Sequence, residues 1–332
     1  MLPSTIQTDM LQNFTTKQIE TKTDDVNSIV ILGATATGKT SLAVLLAKKL
    51  NGEIISVDSR QVYRKLDIGS GKDLSEYGNI PYHVIDICDL DSEYNVYNFQ
   101  KDFYNTFPEI INRKALPIIA GGTGLYLDSV LRNYQLVTVP ENTALREELK
   151  IKSIEELANM LLDLNPNLHN KTDLLIPERA IRAIEIAVYK KENPCKFLKE
   201  SPVKVSPLIF GIFFEREALR NRIKTRLLAR LDCGMIDEVQ DLLKSGVSSE
   251  RLIALGLEYK YTTEYLQNKF TGFDEYVTKL HQAICRFAKR QETWFRRMER
   301  FGVNIIHIDG SDTQTMFSQI MREIKHAQLT SE

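Results

Sequence analysis

Long apolar runs are missing from the 332-residue sequence, and with them the case for a membrane span: no stretch approaches the roughly 18 consecutive apolar residues of a transmembrane helix. Cysteine is scarce too. Cys88, Cys195, Cys233 and Cys285 are scattered with no CxxC pair, which excludes a zinc or disulfide framework and suits a reducing, cytoplasmic setting in which each thiol is a small buried hydrophobe. With 16 Gly and 10 Pro the chain is neither collagen-like nor low-complexity. An excess of either charge is also absent, since 43 Lys+Arg stand against 44 Asp+Glu for a net −1. That excludes a uniformly basic coat for bulk nucleic-acid binding and leaves local patches open. Residues 1–27 hold two lysines and no arginine, so they have neither an apolar signal core nor a basic transit character and are expected to be a solvated tail.

What is present alternates. Short Val/Ile-rich runs at Ser28–Gly33, Glu53–Val57, His83–Ile87, Leu116–Gly121, Pro207–Phe213 and Val303–Ile308 predict strands buried on both faces, as in a parallel sheet. Helical patterns at Lys39–Leu50, Val96–Asn112 and Gly124–Asn133 separate them, which predicts an α/β layered fold. From Glu141 to Glu200 the strand signal stops and 11 acidic and 10 basic residues accompany helix-favouring text, so a helical insertion is expected. Beyond Phe213 helices resume, with Gly234, Gly246 and Gly272 as caps or breaks. The expected organisation is a tail over 1–27, the first part of an α/β core over 28–137, the helical insertion over 138–203, the second part of the core with basic helices over 204–310, and a C-terminal helix or tail over 311–332.

The strongest motif is GATATGKT, made of Gly33, Ala34, Thr35, Ala36, Thr37, Gly38, Lys39 and Thr40. It satisfies G-x-x-x-x-G-K-[ST] between an apolar run and a helical pattern, the context a phosphate loop requires. Glycines let backbone N–H groups converge on phosphate oxygens, the helix adds the positive end of its dipole, Lys39 adds an ammonium and Thr40 is placed to ligate Mg²⁺. A P-loop-type parallel sheet with flanking helices is therefore the expected fold. Asp58 after IISV and Asp86 in HVIDI both suit the second, metal-side carboxylate of a kinase or NTPase. The loop alone leaves phosphoryl transfer, hydrolysis and chemistry at another atom open.

The ordered series IISVDSRQVYRKLDIGSGK, PYHVIDI, PIIAGGTGLY, ERAIRAIE and AKRQETWFRR resembles the tRNA dimethylallyltransferases, the bacterial-type isopentenyltransferase family. The resemblance runs from Ser28 to Asp309. It implies transfer of a dimethylallyl group from dimethylallyl diphosphate to N6 of the adenosine beside the tRNA anticodon, by a cytoplasmic, monomeric enzyme that uses Mg²⁺. Residues Gly33–Thr40 would hold the diphosphate, with Lys39 and an arginine neutralising the leaving group. Arg222 is preferred for that role over Arg226. Asp58 matches the family's general base; Ser59, Arg60 and Gln61 would line the adenine and tRNA contact. Thr123 of GGTG matches the residue that hydrogen-bonds the bridging oxygen, and Glu178, Arg179, Ala180, Ile181 and Arg182 match a tRNA contact.

Two segments carry the charge such a partner needs. Arg216–Arg230 has six cations against one acid and Arg286–Arg300 has six against two. Lys289, Arg296 and Arg300 fall on one helical face, and a line of cations follows a phosphate backbone. Trp294 is expected to pack rather than to stack on a base. Two departures from the family stand out: GSGKD at Gly69–Asp73 replaces GTAKP, and ALGLEYK at Ala254–Lys260 puts Leu257 and Glu258 where many members have a Tyr and a cation facing tRNA. Adenylate isopentenyltransferase activity on AMP, ADP or ATP is the rival reading, and a P-loop kinase or NTPase the next.

Overall fold

The computed structural model describes residues 26–166, 174–194 and 203–329. Residues 1–25 of the expected tail, 167–173 and 195–202 of the expected insertion, Cys195, and 330–332 lie outside the described residues.

Six strands among the described residues form one parallel sheet: β1 (Ser28–Gly33), β2 (Gly52–Val57), β3 (Tyr82–His83), β4 (Leu116–Gly121), β5 (Pro207–Phe213) and β6 (Ile306–Asp309). Their spatial order is β3-β2-β4-β1-β5-β6. Every residue of β1 and β2 is buried, which is why their sequences are near-continuous in Val and Ile with no polar alternation. β1 lies between β4 and β5, Ile31 pairing with Ala120 on one side and Phe210 on the other. The segment after β1 therefore emerges at the middle of the sheet's C-terminal edge, where open α/β sheets bind ligands.

The His83–Ile87 run is a correction to the expected strand. Only Tyr82–His83 pairs, because Val84 (φ 63°) and Asp86 (φ 55°) are left-handed, a conformation that ends a ladder. Val84 and Ile85 still bury, which explains the apolar signal. β6 likewise starts at Ile306, three residues beyond the expected Val303.

Helices cover both faces. On one, α1 (Lys39–Leu50) packs with α12 (Thr313–Leu329), Leu42 and Leu46 meeting Met316, Ile320 and Ile324. The C-terminal segment is thus a docked helix over most of its length. On the other lie α2 (Val96–Asn112), α3 (Gly124–Leu131) and the long α11 (Phe273–Arg300), through Phe99, Phe103, Phe107, Phe295 and Met298. A third cluster joins α7 (Arg216–Asp232), α10 (Leu257–Leu266) and α11 to Ala34 and Ala36 of the phosphate loop. Between α7 and α10 run α8 (Met235–Lys244), whose first turn follows Gly234 at φ 94°, and α9 (Ser249–Ala254).

Helices α4 (Thr143–Lys150), α5 (Ile154–Leu164) and α6 (Pro177–Glu192) make a separate core from Leu149, Leu157, Leu161, Ala180 and Ile184. Its polar tie is Glu185, which is 2% exposed. The carboxylate accepts from Arg146 Nε (3.1 Å) and Nη2 (2.9 Å), from the Asn142 N–H (2.6 Å) and from Arg182. Burial alone would raise its pKa, yet these donors together hold it down at about 2. A carboxylate depressed in the folded state contributes stability above its unfolded pKa of about 4.5 and loses it as pH falls towards about 2. Urea unfolding should accordingly find Glu185→Gln less stable than the parent above pH 5, with the gap closing as the pH approaches 2.

Candidate active site

The phosphate loop's sequence dictates which of its groups face out. Ala36 (φ 65°) and Gly38 (φ 85°) are both left-handed, so the loop wraps tightly before α1 begins. A Cβ on Gly33 would press 3.1 Å from the Ile212 carbonyl of β5, so only glycine fits there. Ala34, Ala36 and Thr37 turn inward and are buried, Thr37 Oγ1 donating to the Ala34 carbonyl at 2.9 Å. Thr35, Lys39 and Thr40 remain, and all three line a cavity of about 80 Å³.

Asp58, at the end of β2, lines the same cavity. Its Oδ1 accepts from the N–H groups of Arg60 (2.8 Å) and Gln61 (3.4 Å), a local turn that orients the carboxylate. Asp86 does not reach the cavity. It is paired at 2.5 Å with Lys72, which is 1% exposed, so of the two candidate carboxylates only Asp58 faces the phosphate loop. Gln61 is buried between Ser56, whose hydroxyl donates to Oε1 (2.9 Å), and the Gly71 carbonyl, which accepts from Nε2 (3.0 Å). Arg60 runs along Gly256, where an added Cβ would be 3.3 Å from Nε.

The GGTG loop closes the site from the β4 side. Gly121 and Gly122 line the cavity, and Thr123 follows them, its Oγ1 accepting from the Ser59 N–H at 3.1 Å. An acceptor hydroxyl keeps its own hydrogen to donate elsewhere.

The two candidate arginines of α7 are placed differently. Arg222 Nε donates to the Ala36 carbonyl (2.9 Å) and its guanidinium covers the Phe214 ring at 4.6 Å, with Nη2 3.7 Å from where a Cβ on Gly38 would stand. Arg226, one turn on, donates to Thr35 Oγ1 and lines the cavity. Two cations are thereby crowded together. Burial first, then Arg226, lowers Lys39 to about 7 against the pull of Asp58, and its ammonium donates to the Ala34 carbonyl at 2.6 Å. Burial and Arg230 lower Arg226 as well. A pocket that penalises its own positive charge in this way favours a polyanion, whose arrival removes the penalty. A wider cavity of about 800 Å³ adjoins it through Arg226 and is lined also by Arg64, Lys65 and Arg230.

Gln291 of α11 has no counterpart among the expected site residues. Its Oε1 accepts from the Thr35 N–H (2.9 Å) and its Nε2 donates to the Gly122 carbonyl (2.8 Å), so one buried carboxamide fastens the phosphate loop to the GGTG loop. Its position in the apolar stripe of Ile284, Ala288, Phe295 and Met298 marks Gln291 as a buried polar residue, but the two loops it joins have no signal in the sequence of α11. Phe287, exposed at 38%, adds an aromatic face to the cavity.

Farther out the expectations divide. At the start of α6, Glu178 and Arg179 are exposed, and Arg182 is tied to Glu185 and the Val139 carbonyl. Ala180 and Ile181 turn their side chains into the insertion's core. On α11, Lys289, Arg296 and Arg300 are exposed, with Arg296 3.6 Å from Glu292. The Trp294 ring packs where a Cβ on Gly124 would collide with it. Glu258, half-buried, pairs with Arg230 at 3.5 Å, and Tyr259 is 1% exposed.

Among the described residues no group of three or more His, Cys, Asp or Glu side chains is arranged to hold a metal. The cavity does combine the Thr40 hydroxyl with the Asp58 carboxylate. Such hard oxygen donors suit Mg²⁺, which is usually bound by one or two protein oxygens together with substrate phosphates.

Known proteins agree with this geometry. The model of the IPP transferase family matches residues 61–298 and that of the isopentenyl transferases residues 26–77. The chain is 57% identical over 284 residues to tRNA dimethylallyltransferase 2 of Treponema denticola, covering 85% of this chain and 95% of that one. It is 51% identical over 303 residues to tRNA dimethylallyltransferase 1 of Syntrophus aciditrophicus, covering 90% and 99%. The full-length tRNA isopentenylpyrophosphate transferase of Bacillus halodurans superposes with a TM-score of 0.67 at 31% identity, over 92% of this chain and 98% of that one. A eukaryotic dimethylallyltransferase acting on tRNA superposes with a TM-score of 0.76 at 25% identity, over 92% and 80%. The phosphate loop facing Asp58, the GGTG closure and these relatives together establish that the chain belongs to the IPP transferase family of tRNA dimethylallyltransferases.

Proposed function

We propose that the protein transfers the dimethylallyl group of dimethylallyl diphosphate to N6 of the adenosine beside the anticodon of tRNA and releases diphosphate. The observation that carries this reading is that Lys39, Thr40 and Asp58 line one cavity together with Gln61 and Phe287. The first two suit a diphosphate, and the last two suit a base edge and a base face. Asp58 shares the cavity with both pairs.

The chemistry follows from those positions. The bond between the allylic carbon and the bridging oxygen breaks, and the diphosphate leaves with the electron pair. The N6–carbon bond forms, and the N6 proton passes to Asp58. An allylic cation is delocalised, so the main barrier lies in the charge developing on the leaving oxygens, which Lys39 and Arg226 meet with fixed positive charge. Thr123 supplies its hydroxyl hydrogen to the bridging oxygen. Mg²⁺ held through the Thr40 hydroxyl would add further charge to the leaving group. Drawing the stacked adenine into the pocket costs a few kcal/mol, about the scale of base extrusion generally, and the basic surfaces offset it by gripping the backbone.

The reading includes a cytoplasmic, monomeric enzyme; no helix among the described residues is long and apolar enough to cross a membrane. Its test is labelled dimethylallyl diphosphate with Mg²⁺ offered beside unmodified tRNA, AMP and ATP. Label is expected in tRNA. Label in AMP or ATP alone overturns the acceptor, and ATP hydrolysis without prenyl transfer overturns the reaction. For the exposed α11 face, tRNA affinity should fall steeply with salt, and replacing Lys289, Arg296 and Arg300 by Ala should reduce the slope of log affinity against log salt by about 2 to 3.

A further inference from the structure

The two segments that depart from the family pattern, GSGKD and GLEY, meet in space. Ser70 and Gly71 line the cavity that holds Asp58 and Gln61. The loop that carries them is gripped from behind by residues of three helices, none of which touches the cavity with the gripping group. Glu238 of α8 takes three successive backbone N–H groups: Oε2 accepts from Asp67 (3.1 Å) and Ile68 (2.6 Å), and Oε1 from Gly69 (3.1 Å). Tyr259 of α10 takes the next, its hydroxyl accepting from the Ser70 N–H (3.1 Å) while donating to Glu238 Oε1 (2.8 Å). Arg230 of α7 donates to the Gly69 carbonyl at 3.3 Å and pairs with Glu258 at 3.5 Å.

Both glycines of the loop are demanded by this grip. A Cβ at Gly69 would lie 2.7 Å from Tyr259 Cζ, and one at Gly71 would overlap the Arg230 guanidinium. The Gly71 carbonyl, so placed, receives Gln61 Nε2 at 3.0 Å, and the Gln61 N–H in turn approaches Asp58 Oδ1 at 3.4 Å. A continuous chain of hydrogen bonds therefore runs from Glu238 and Tyr259, through the Ser70–Gly71 backbone, to the carboxamide and carboxylate of the site.

We infer that Glu238 and Tyr259 are positioning residues: they fix the Ser70–Gly71 wall and, through the Gly71 carbonyl, the Gln61 side chain against which the acceptor adenine lies. GSGKD and GLEY belong to one device: Tyr259 packs on Gly69 and holds the Ser70 N–H, and Glu258 pairs with the Arg230 for which Gly71 leaves room. The device acts on the acceptor side of the pocket. The phosphate loop is fastened separately, by Gln291.

This inference rests on the proposed transfer to tRNA, which the parent enzyme's activity checks before any variant is made. Tyr259→Phe keeps the ring against Gly69 and removes both hydroxyl bonds. It should lower kcat on tRNA by about tenfold or more, since small misplacements near a reacting centre are costly. Affinity for inorganic diphosphate with Mg²⁺ should stay within about twofold, because the phosphate loop lies outside the chain of hydrogen bonds. In a double-mutant cycle, Tyr259→Phe placed on Gln61→Ala should add little. Independent, additive losses, or parent-like kinetics for Tyr259→Phe, would overturn the clamp while leaving the reaction itself intact. Should Tyr259→Phe fail to fold, Glu238→Gln, which keeps an acceptor oxygen but not the carboxylate's second, takes its place in the cycle: non-additive losses with Gln61→Ala are again expected, and additive losses or parent-like kinetics again overturn the clamp.

Discussion

Replacing Asp58 by Asn should slow prenyl transfer to tRNA by about 10² to 10⁴, the usual span of a lost general base, while binding of diphosphate with Mg²⁺ changes little. Asn is the informative substitution because Asp58 has two duties. One oxygen accepts the N–H groups of Arg60 and Gln61 and so shapes the DSRQ turn. An amide oxygen preserves that acceptance, whereas Ala removes it and would confound lost chemistry with a collapsed turn. What Asn cannot do is receive the N6 proton. The measurement is single-turnover transfer with saturating donor, paired with diphosphate binding by calorimetry. A variant with parent-like turnover would show that the proton leaves by another route. A variant that also loses diphosphate affinity by more than tenfold would instead move Asp58 to the metal side of the site.

The second large effect concerns the choice between two arginines one helical turn apart. Arg226→Met should lower kcat by about 10² to 10³, the scale seen when one donor to a developing oxyanion is removed. Arg222→Met should cost less than about tenfold, since its guanidinium is engaged by the Ala36 carbonyl and the Phe214 ring and does not line the cavity. Met keeps the volume and apolar stem of either side chain, so the comparison isolates the charge. Reversal of the two effects would place the diphosphate on the Arg222 side. The shift of Arg226 fits the prediction: burial and the neighbouring Arg230 disfavour its charge until an anion shares the pocket.

Asp58 and the two arginines differ in how far the sequence alone could place them. The phosphate loop and its flanking strand and helix were legible because their function is local: Gly33 to Thr40 bring their own turn, N–H groups, ammonium and hydroxyl within eight residues. Strands buried on both faces were legible from Val and Ile alone. The run at His83–Ile87 was not, because apolar burial and strand pairing usually travel together and here separate: Val84 and Ile85 bury on a backbone that turns left-handed. Within α6, ERAIR looked like one contact run, yet a helix with its own core sends Ala180 and Ile181 inward and leaves Glu178 and Arg179 outside.

Arginine choice, the Gln291 fastening and the Glu238–Tyr259 grip belong to a different order of information. Arg226 and Arg222 differ by four positions on one helix, and only the seat of α7 beside the phosphate loop turns one guanidinium into the cavity and the other against Phe214. Gln291 is 256 residues from Thr35, and Tyr259 is 189 from Ser70. The chemical parts of the enzyme, a phosphate cradle, a carboxylate after the second strand and a polar closure after the fourth, are written in short contiguous motifs because each needs only its neighbours. Which arginine lines the cavity, and why Gly69 must face Tyr259 and Gly71 must face Arg230, depends on long-range packing of α7, α8, α10 and α11, since steric fit between segments distant in the chain has no local signature.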